Sequence, residues 1–276
     1  EIQEAIAVET AEGADKFNFK SLLTQGKTKN FQRVMLAAWS QIMQQITGIN
    51  LITYYAGTVF ENIGMSPFNA RILAACNGTE YFLASLLAFW TIEKFGRRKL
   101  MLFGAAGQAA SMAILTGTVW ASSAENGDNT NAGIAAAVFL FVFNSFFGCS
   151  WLGISWLLPP ELLPLAIRAP GTGISTACNW SFNFMVVMIT PVAFENIGAY
   201  TYTIFAVINL LMIPAVYFFF PETAGRSLEE MDIIFEQTPV SQPWKVVEIS
   251  QKLPKLSNHS AAEDYDKPEA THVEKV

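Results

Sequence analysis

Between residues 34 and 220 the sequence alternates long apolar runs with short polar breaks. The runs cover 34–60, 68–92, 98–122, 133–158, 170–194 and 200–220, and each meets the requirement of about 20 apolar residues for a membrane-spanning helix. The breaks carry turn chemistry: ENIGMSP, EKFGRRK, SSAENGDNTNAG, PPELLPLAIR and ENIGAY. This pattern predicts an all-α membrane protein with a bundle of six transmembrane helices over 31–221. Residues 1–30 are polar, with Ile2, Ile6 and Glu9 at helical spacing, and predict a surface helix and linker. A short helix is expected at 222–237, and 238–276, rich in Pro, Ser, Lys and Glu without periodicity, is expected to be a disordered tail.

Composition agrees with the periodic pattern: 52% of residues are hydrophobic and only 14% charged, against about a quarter charged in soluble domains. The three cysteines, Cys76, Cys149 and Cys178, lie inside apolar runs at no metal-ligand spacing, which argues against a disulfide framework or a zinc site. Both histidines, His259 and His272, fall in the tail, so the apolar region has no imidazole base and an enzyme is not expected. An even number of spans puts both termini on one side. Lys27, Lys29, Arg33, Lys94, Arg97, Arg98, Lys99, Arg168 and Arg226 all flank that side, whereas the opposite breaks hold Arg71 with Glu61, Glu125, Asp128 and Glu195. Positive charge concentrates on cytoplasmic loops, so both termini are expected in the cytosol, with the plasma membrane the expected location. The sequons at Asn77, Asn179 and Asn258 then lie in spans or in the cytosolic tail, out of reach of glycosylation.

Polar residues inside the spans carry the functional signal. QQITGIN places Gln44, Gln45 and Asn50 around Gly48 in the first run, followed by Tyr54 and Tyr55. On one smooth helix Gln44 and Tyr55 face differently from Asn50 and Tyr54, but a glycine permits bending or unwinding, and transporter sites form on interrupted helices. The alternative is that the amides only bond neighbouring helices together. Carboxamides donate and accept without charge, so a site built from them suits a neutral polyhydroxylated molecule. Trp151 and Trp156 precede Pro159-Pro160, which is expected to end or break the fourth helix; Asn179 and Trp180, with Asn183 one turn on, repeat the pairing of amide and indole. Aromatic faces stack on sugar C–H faces, although tryptophan near a span end also serves as an interfacial anchor.

As a set these motifs resemble the sugar porters of the major facilitator superfamily, in particular the C-terminal six-helix half of fungal hexose and polyol transporters. The matching segments are QQITGINLITYY, EKFGRR, a tryptophan followed by PPELLPLAIR and then NW, and PETAGRSLEE, in that order over about residues 30 to 237. The resemblance implies alternating access, with a small-molecule sugar held between this half and an N-terminal six-helix half of the same protein, within the lipid bilayer. It implies Gln44, Gln45 and Asn50 as hydroxyl ligands, Tyr54 and Tyr55 as outer-gate aromatics, and Trp156, Asn179 and Trp180 as the remaining wall, and it matches Trp151 to a sugar-stacking tryptophan of some bacterial members. Tyr81 stands where family members commonly have a sugar-binding asparagine, with Asn77 one turn away, and this keeps a smaller polyol such as glycerol as an alternative substrate.

Glu80, next to Tyr81 and about midway along its span, is a candidate proton site, because an ionisable group at that depth is costly; structural hydrogen bonding is its other reading. No other cofactor and no nucleic-acid partner is expected. Glu93, Arg97, Arg98, Glu161, Arg168, Glu222 and Arg226 gather at helix ends on the basic side, and the resemblance implies a latch that holds the outward-facing state. A sugar sensor on this fold would be expected to add a long signalling tail, and an inactive fragment is the third reading. The chain opens at Glu1 without methionine and is expected to be the C-terminal part of a protein of about twelve spans.

Overall fold

The computed structural model describes residues 19–62, 64–122 and 129–254. The Ile2, Ile6 and Glu9 helix, Glu125 and Asp128, the Asn258 sequon, both histidines and the end of the expected tail lie outside the described residues. The described chain is helical: α1 (Phe19–Leu22), α2 (Asn30–Ile46), α3 (Ile49–Tyr54), α4 (Ala56–Asn62), α5 (Pro67–Phe95), α6 (Arg97–Ser122), α7 (Thr130–Cys149), α8 (Trp151–Leu162), α9 (Leu165–Ile197), α10 (Tyr200–Phe219), α11 (Leu228–Gln237) and α12 (Lys245–Lys252). Among the described residues five helical segments are long and apolar enough to cross a membrane, with α7 and α8 counted together as one. The first predicted span is instead divided into α2, α3 and α4.

Local chemistry sets the boundaries. Ser66 caps α5 by accepting from the Asn69 backbone N–H, with Pro67 at the first helical position, and Asn129 caps α7 through the N–H groups of Asn131 and Ala132. Gly48 separates α2 from α3 at φ 94°, a left-handed conformation that costs other L-residues about 1–2 kcal/mol. An added Cβ there would lie 2.8 Å from both Met112 Cε on α6 and Phe205 Cγ on α10. Gly48→Ala is therefore expected to destabilise the protein by about 2–4 kcal/mol, from backbone strain plus overpacking. Thermal unfolding of the purified full-length protein checks this, and a midpoint equal to wild type would contradict it.

Pro159 and Pro160 do not end the fourth span as expected: they lie inside α8, which runs on to Leu162. The interruption falls earlier, at Ser150, between α7 and α8. A proline in a helix leaves the carbonyl four residues back without its N–H partner. Here that carbonyl, on Ser155, accepts from Gln41 Nε2 at 2.9 Å, so a neighbouring helix supplies the missing donor.

In the bundle α6 packs against α7 and α10, α2 against α8 and α9, and α5 against α7. The core between them holds Met101, Met112, Phe143, Phe147, Trp151 and Tyr202. Large apolar side chains also cover the outside, Phe89 and Trp90 on α5 among them, as suits a surface facing lipid or another hydrophobic body. At the basic end Arg33, buried at the start of α2, pairs with Asp232 of α11 at 2.5 Å and lies 4.4 Å from the Phe235 ring centre.

The expected disordered tail begins too early. Residues 245–252 form α12, with Val246 and Val247 buried, and Arg226 donates to the Ser250 and Leu253 carbonyls. Composition pointed to disorder because a short polar helix shows no long apolar period; its order comes from two valines and one guanidinium acting on its C-terminal carbonyls.

Candidate functional site

The break at Gly48 opens onto a connected set of carboxamides. Asn179 of α9 is its hub: Nδ2 donates to Gln41 Oε1 at 2.6 Å and Gln44 Oε1 at 2.8 Å, and Oδ1 accepts from Gln45 Nε2 at 3.0 Å. Gln45 Oε1 in turn accepts from Asn50 Nδ2 at 2.5 Å and Asn183 Nδ2 at 3.2 Å. Gln41, Gln44, Gln45, Asn50 and Asn179 are all buried, and Asn183 is half-buried. Gln44 Nε2 also reaches the Trp151 and Leu152 carbonyls beside the α7–α8 interruption. One network therefore links two interrupted helices through α9, with no formal charge in it.

The break itself is braced from behind. Asn209 of α10 donates to the Thr47 carbonyl at 2.8 Å, and Thr47 Oγ1 donates to the Gln44 carbonyl at 2.7 Å. Unwinding at Gly48 thus leaves these carbonyls satisfied, which is the condition for irregular backbone at membrane depth.

Of the expected hydroxyl ligands and wall residues, Gln44, Gln45, Asn50 and Asn179 join in one hydrogen-bonded set. Trp156 and Trp180 adjoin network-linked residues and keep open faces, 45% and 59% exposed. Tyr54 is exposed at the end of α3, and Tyr55 is tied to α9 by its hydroxyl, which donates to the Val187 carbonyl at 2.9 Å. Trp151 departs from its expected stacking role. It is completely buried in the core, because Gly104 lets α6 close against Ser150 and the Trp151 indole, and no face of it is left open. Tyr81 is half-buried, its ring centre 6.1 Å from that of Phe147 on α7. Gln41 and Asn183 were not among the expected ligands, although Gln41 precedes Gln44 by one turn on the same face.

At the basic end the expected charge set divides. Arg97 donates to Glu161 Oε1 through Nη2 at 2.9 Å and Nε at 3.2 Å, and pairs with Glu93 at 3.1 Å. Glu161 Oε2 accepts from Thr223 Oγ1 at 2.6 Å. Glu222 accepts from the backbone N–H groups of Arg97 and Arg98 at 2.8 and 3.2 Å, while the Arg98 guanidinium goes to the Tyr217 carbonyl at 2.7 Å. Gly96 makes this possible: at φ 86° it leaves open the space that the Glu222 carboxylate fills. Arg168 is not joined to this set; its Nε donates to the Leu163 carbonyl. Arg226 is separate too, pairing with Glu230 at 3.4 Å and holding α12.

An all-helical bundle with buried uncharged amides on interrupted helices and an ion-pair cluster at one end is the architecture of a multi-pass membrane protein. The family described as "Sugar (and other) transporter" matches residues 1–235, and the chain belongs to this family of multi-pass membrane transporters, which are not enzymes. It is 43% identical over 246 residues to sugar transporter STL1 of Saccharomyces cerevisiae, covering 88% of this chain and 42% of that protein. It is 32% identical over 224 residues to the low-affinity glucose transporter HXT4 of S. cerevisiae, covering 79% and 38%. Among solved structures, the proton:xylose symporter XylE bound to 6-bromo-6-deoxy-D-glucose matches at TM-score 0.64 and 29% identity, over 73% of this chain and 42% of that one. XylE is from E. coli. The chain therefore corresponds to one half of a major facilitator sugar porter, about two fifths of the length of these relatives.

Proposed function

We propose that this chain is the C-terminal half of a carrier that moves a monosaccharide, a hexose in the first instance, by alternating access. The carboxamide network carries the reading: Gln44, Gln45, Asn50 and Asn179 present donors and acceptors to one another at a helix break, and sugar hydroxyls can take over those bonds. Exchanging amide–amide for amide–hydroxyl bonds keeps the polar groups paired and so avoids the penalty of about 1–3 kcal/mol for each buried group left unsatisfied. Trp156 and Trp180 supply open aromatic faces, and Tyr54 and Tyr55 an outer gate. The N-terminal half is the partner that closes the cavity. Its seat is the side of α5 and α9, whose apolar windows are the least enclosed of the five spanning segments, each 17% buried. The basic end, with Arg97 and Glu161, faces the cytosol, the plasma membrane is the site of action, and the Glu93–Arg97–Glu161 cluster with Glu222 latches the outward-facing state.

A polyol is the second reading, favoured by Tyr81, whose phenol replaces an amide and packs on Phe147. Labelled glucose uptake in cells lacking their own carriers separates the two, with glycerol and other sugars as competitors and the chain expressed alone or joined to its N-terminal half. Saturable uptake by the joined form only, displaced by hexoses, is the expected result. Labelled glycerol is run in parallel: uptake of glycerol without glucose would select the polyol reading, and uptake of neither label by a form present at the cell surface would reject transport of both.

A further inference from the structure

Away from the carboxamide network, near the middle of α5, two buried oxygen acceptors on neighbouring turns both lack a donor. One is Glu80 Oε2 and the other Asn77 Oδ1, three residues earlier on the same helix and so on an adjacent face. Asn77 is 3% exposed. The other carboxylate oxygen, Glu80 Oε1, accepts from Ser145 Oγ of α7 at 2.5 Å. The same Ser145 Oγ lies 3.1 Å from the Phe141 carbonyl. A hydroxyl has one hydrogen and two acceptor lone pairs, so Ser145 can donate to an ionised Glu80, or turn its hydrogen to Phe141 and accept from a protonated one.

No cation compensates Glu80. Among the described residues no ion pair involves it. Of the helices packed against α5, α7 contributes Cys149, within electrostatic reach of Glu80 and donating to the Ala84 carbonyl. The charges on α6 sit at its start, Arg97 to Lys99, and Glu161 of α8 is held by Arg97. Glu61 of α4 is exposed. On α5 itself Tyr81 is adjacent, while Arg71 is exposed and more than two turns away. An isolated carboxylate at this depth is costly, and two buried acceptors three residues apart on one helix each lack a hydrogen.

We propose that Glu80, Asn77 and Ser145 form a proton-binding site inside this half, and that its proton is the ion coupled to transport. The step is Glu80 carboxylate plus one proton from the aqueous side giving the carboxylic acid, whose O–H donates to Asn77 Oδ1 or Ser145 Oγ; the reverse step releases the proton on the other side. The unpaired Asn77 oxygen can accept from the acid form only, since a carboxylate has no hydrogen to give. The coupling role rests on the transporter reading above; the proton site does not.

The test uses the full-length protein in proteoliposomes with an imposed pH gradient. Wild type is expected to accumulate substrate and to lose accumulation with a protonophore. Glu80→Gln is expected to lose uphill accumulation and protonophore sensitivity while retaining substrate exchange, which also shows that it is folded. Asn77→Leu, removing an acceptor for the acid, is expected to move the pH profile of accumulation down. Ser145→Ala, removing a charge-assisted donor to the carboxylate, is expected to move it up. Opposite shifts from neighbours of one carboxyl would not follow from simple loss of packing. Infrared spectroscopy reads the site without transport: a carboxylic C=O band that titrates in wild type is expected to vanish in Glu80→Gln. If wild type transports nothing but the band behaves so, the transporter reading fails and the proton site stands. Unchanged accumulation by Glu80→Gln, sodium replacing protons as the driving ion, or a band untouched by the substitution would overturn the proposal.

Discussion

Asn179→Leu is expected to reduce substrate affinity at least tenfold and to lower the unfolding midpoint of the full-length carrier. Leucine matches asparagine roughly in size but removes the one side chain that bonds Gln41, Gln44 and Gln45 together. Gln45 Nε2 would keep only the long contact of 3.5 Å to Gln44 Oε1. The oxygens of Gln41 and Gln44 would lose their 2.6 and 2.8 Å donor. Each buried polar group left unpaired costs about 1–3 kcal/mol, and about 1.4 kcal/mol corresponds to a tenfold change in affinity. A large effect is therefore expected even if water repairs part of the loss. Asn196→Leu on the same helix is the control, because that exposed amide bonds only the Val192 carbonyl of its own helix and its loss should leave both readouts unchanged. Substrate binding and thermal unfolding of the two variants decide the matter; an Asn179→Leu protein with wild-type affinity would remove the network from the site.

The sequence showed the spans clearly because apolar runs and charged breaks are local features, and five of the six predicted spans reappear with boundaries shifted by a few residues. Gly48 was legible as an interruption for the same reason: a glycine among amides in an apolar run has few other uses. The errors came from pairs distant in the chain. Nothing near Pro159 says that Gln41 will donate to the Ser155 carbonyl, so a proline doublet was expected to end or break this helix. Trp151 and Trp156 look equivalent in sequence, yet Gly104 admits α6 against the first and leaves the second open. Asn209, which braces the Thr47 carbonyl, gave no local signal at all. The latch set separated for a related reason: charge and helix-end position are shared by Arg97, Arg168 and Arg226, but only Arg97 stands at the helix start whose backbone N–H groups Glu222 receives.

That geometry makes Glu161→Gln the sharpest test of the latch. Glu161 joins three chain segments: it holds Arg97 at the start of α6 with one oxygen and Thr223, after α10, with the other. Glutamine keeps the shape but loses the charge, and Arg97 would retain only Glu93, whose side chain is 72% exposed against 26% for Glu161. Exposed pairs contribute about 0–1 kcal/mol and breaking a buried pair costs about 3–5 kcal/mol. This half-buried pair falls between, at about 1–2 kcal/mol, which corresponds to about a 5- to 30-fold change in an equilibrium constant. If the basic end is closed when the opposite side is open, that amount goes to the conformational equilibrium and not to the sugar, because the amide network shares no hydrogen bond with Glu161. The expected outcome is a lower maximal uptake rate with substrate affinity within about twofold of wild type, a difference too small to represent even 1 kcal/mol. Distances between spin labels across the basic end of the full-length protein should show the open population rising at the same time. A large loss of affinity at unchanged maximal rate would place Glu161 in the pocket's energetics, and an unchanged distance distribution would leave the cluster as a static brace.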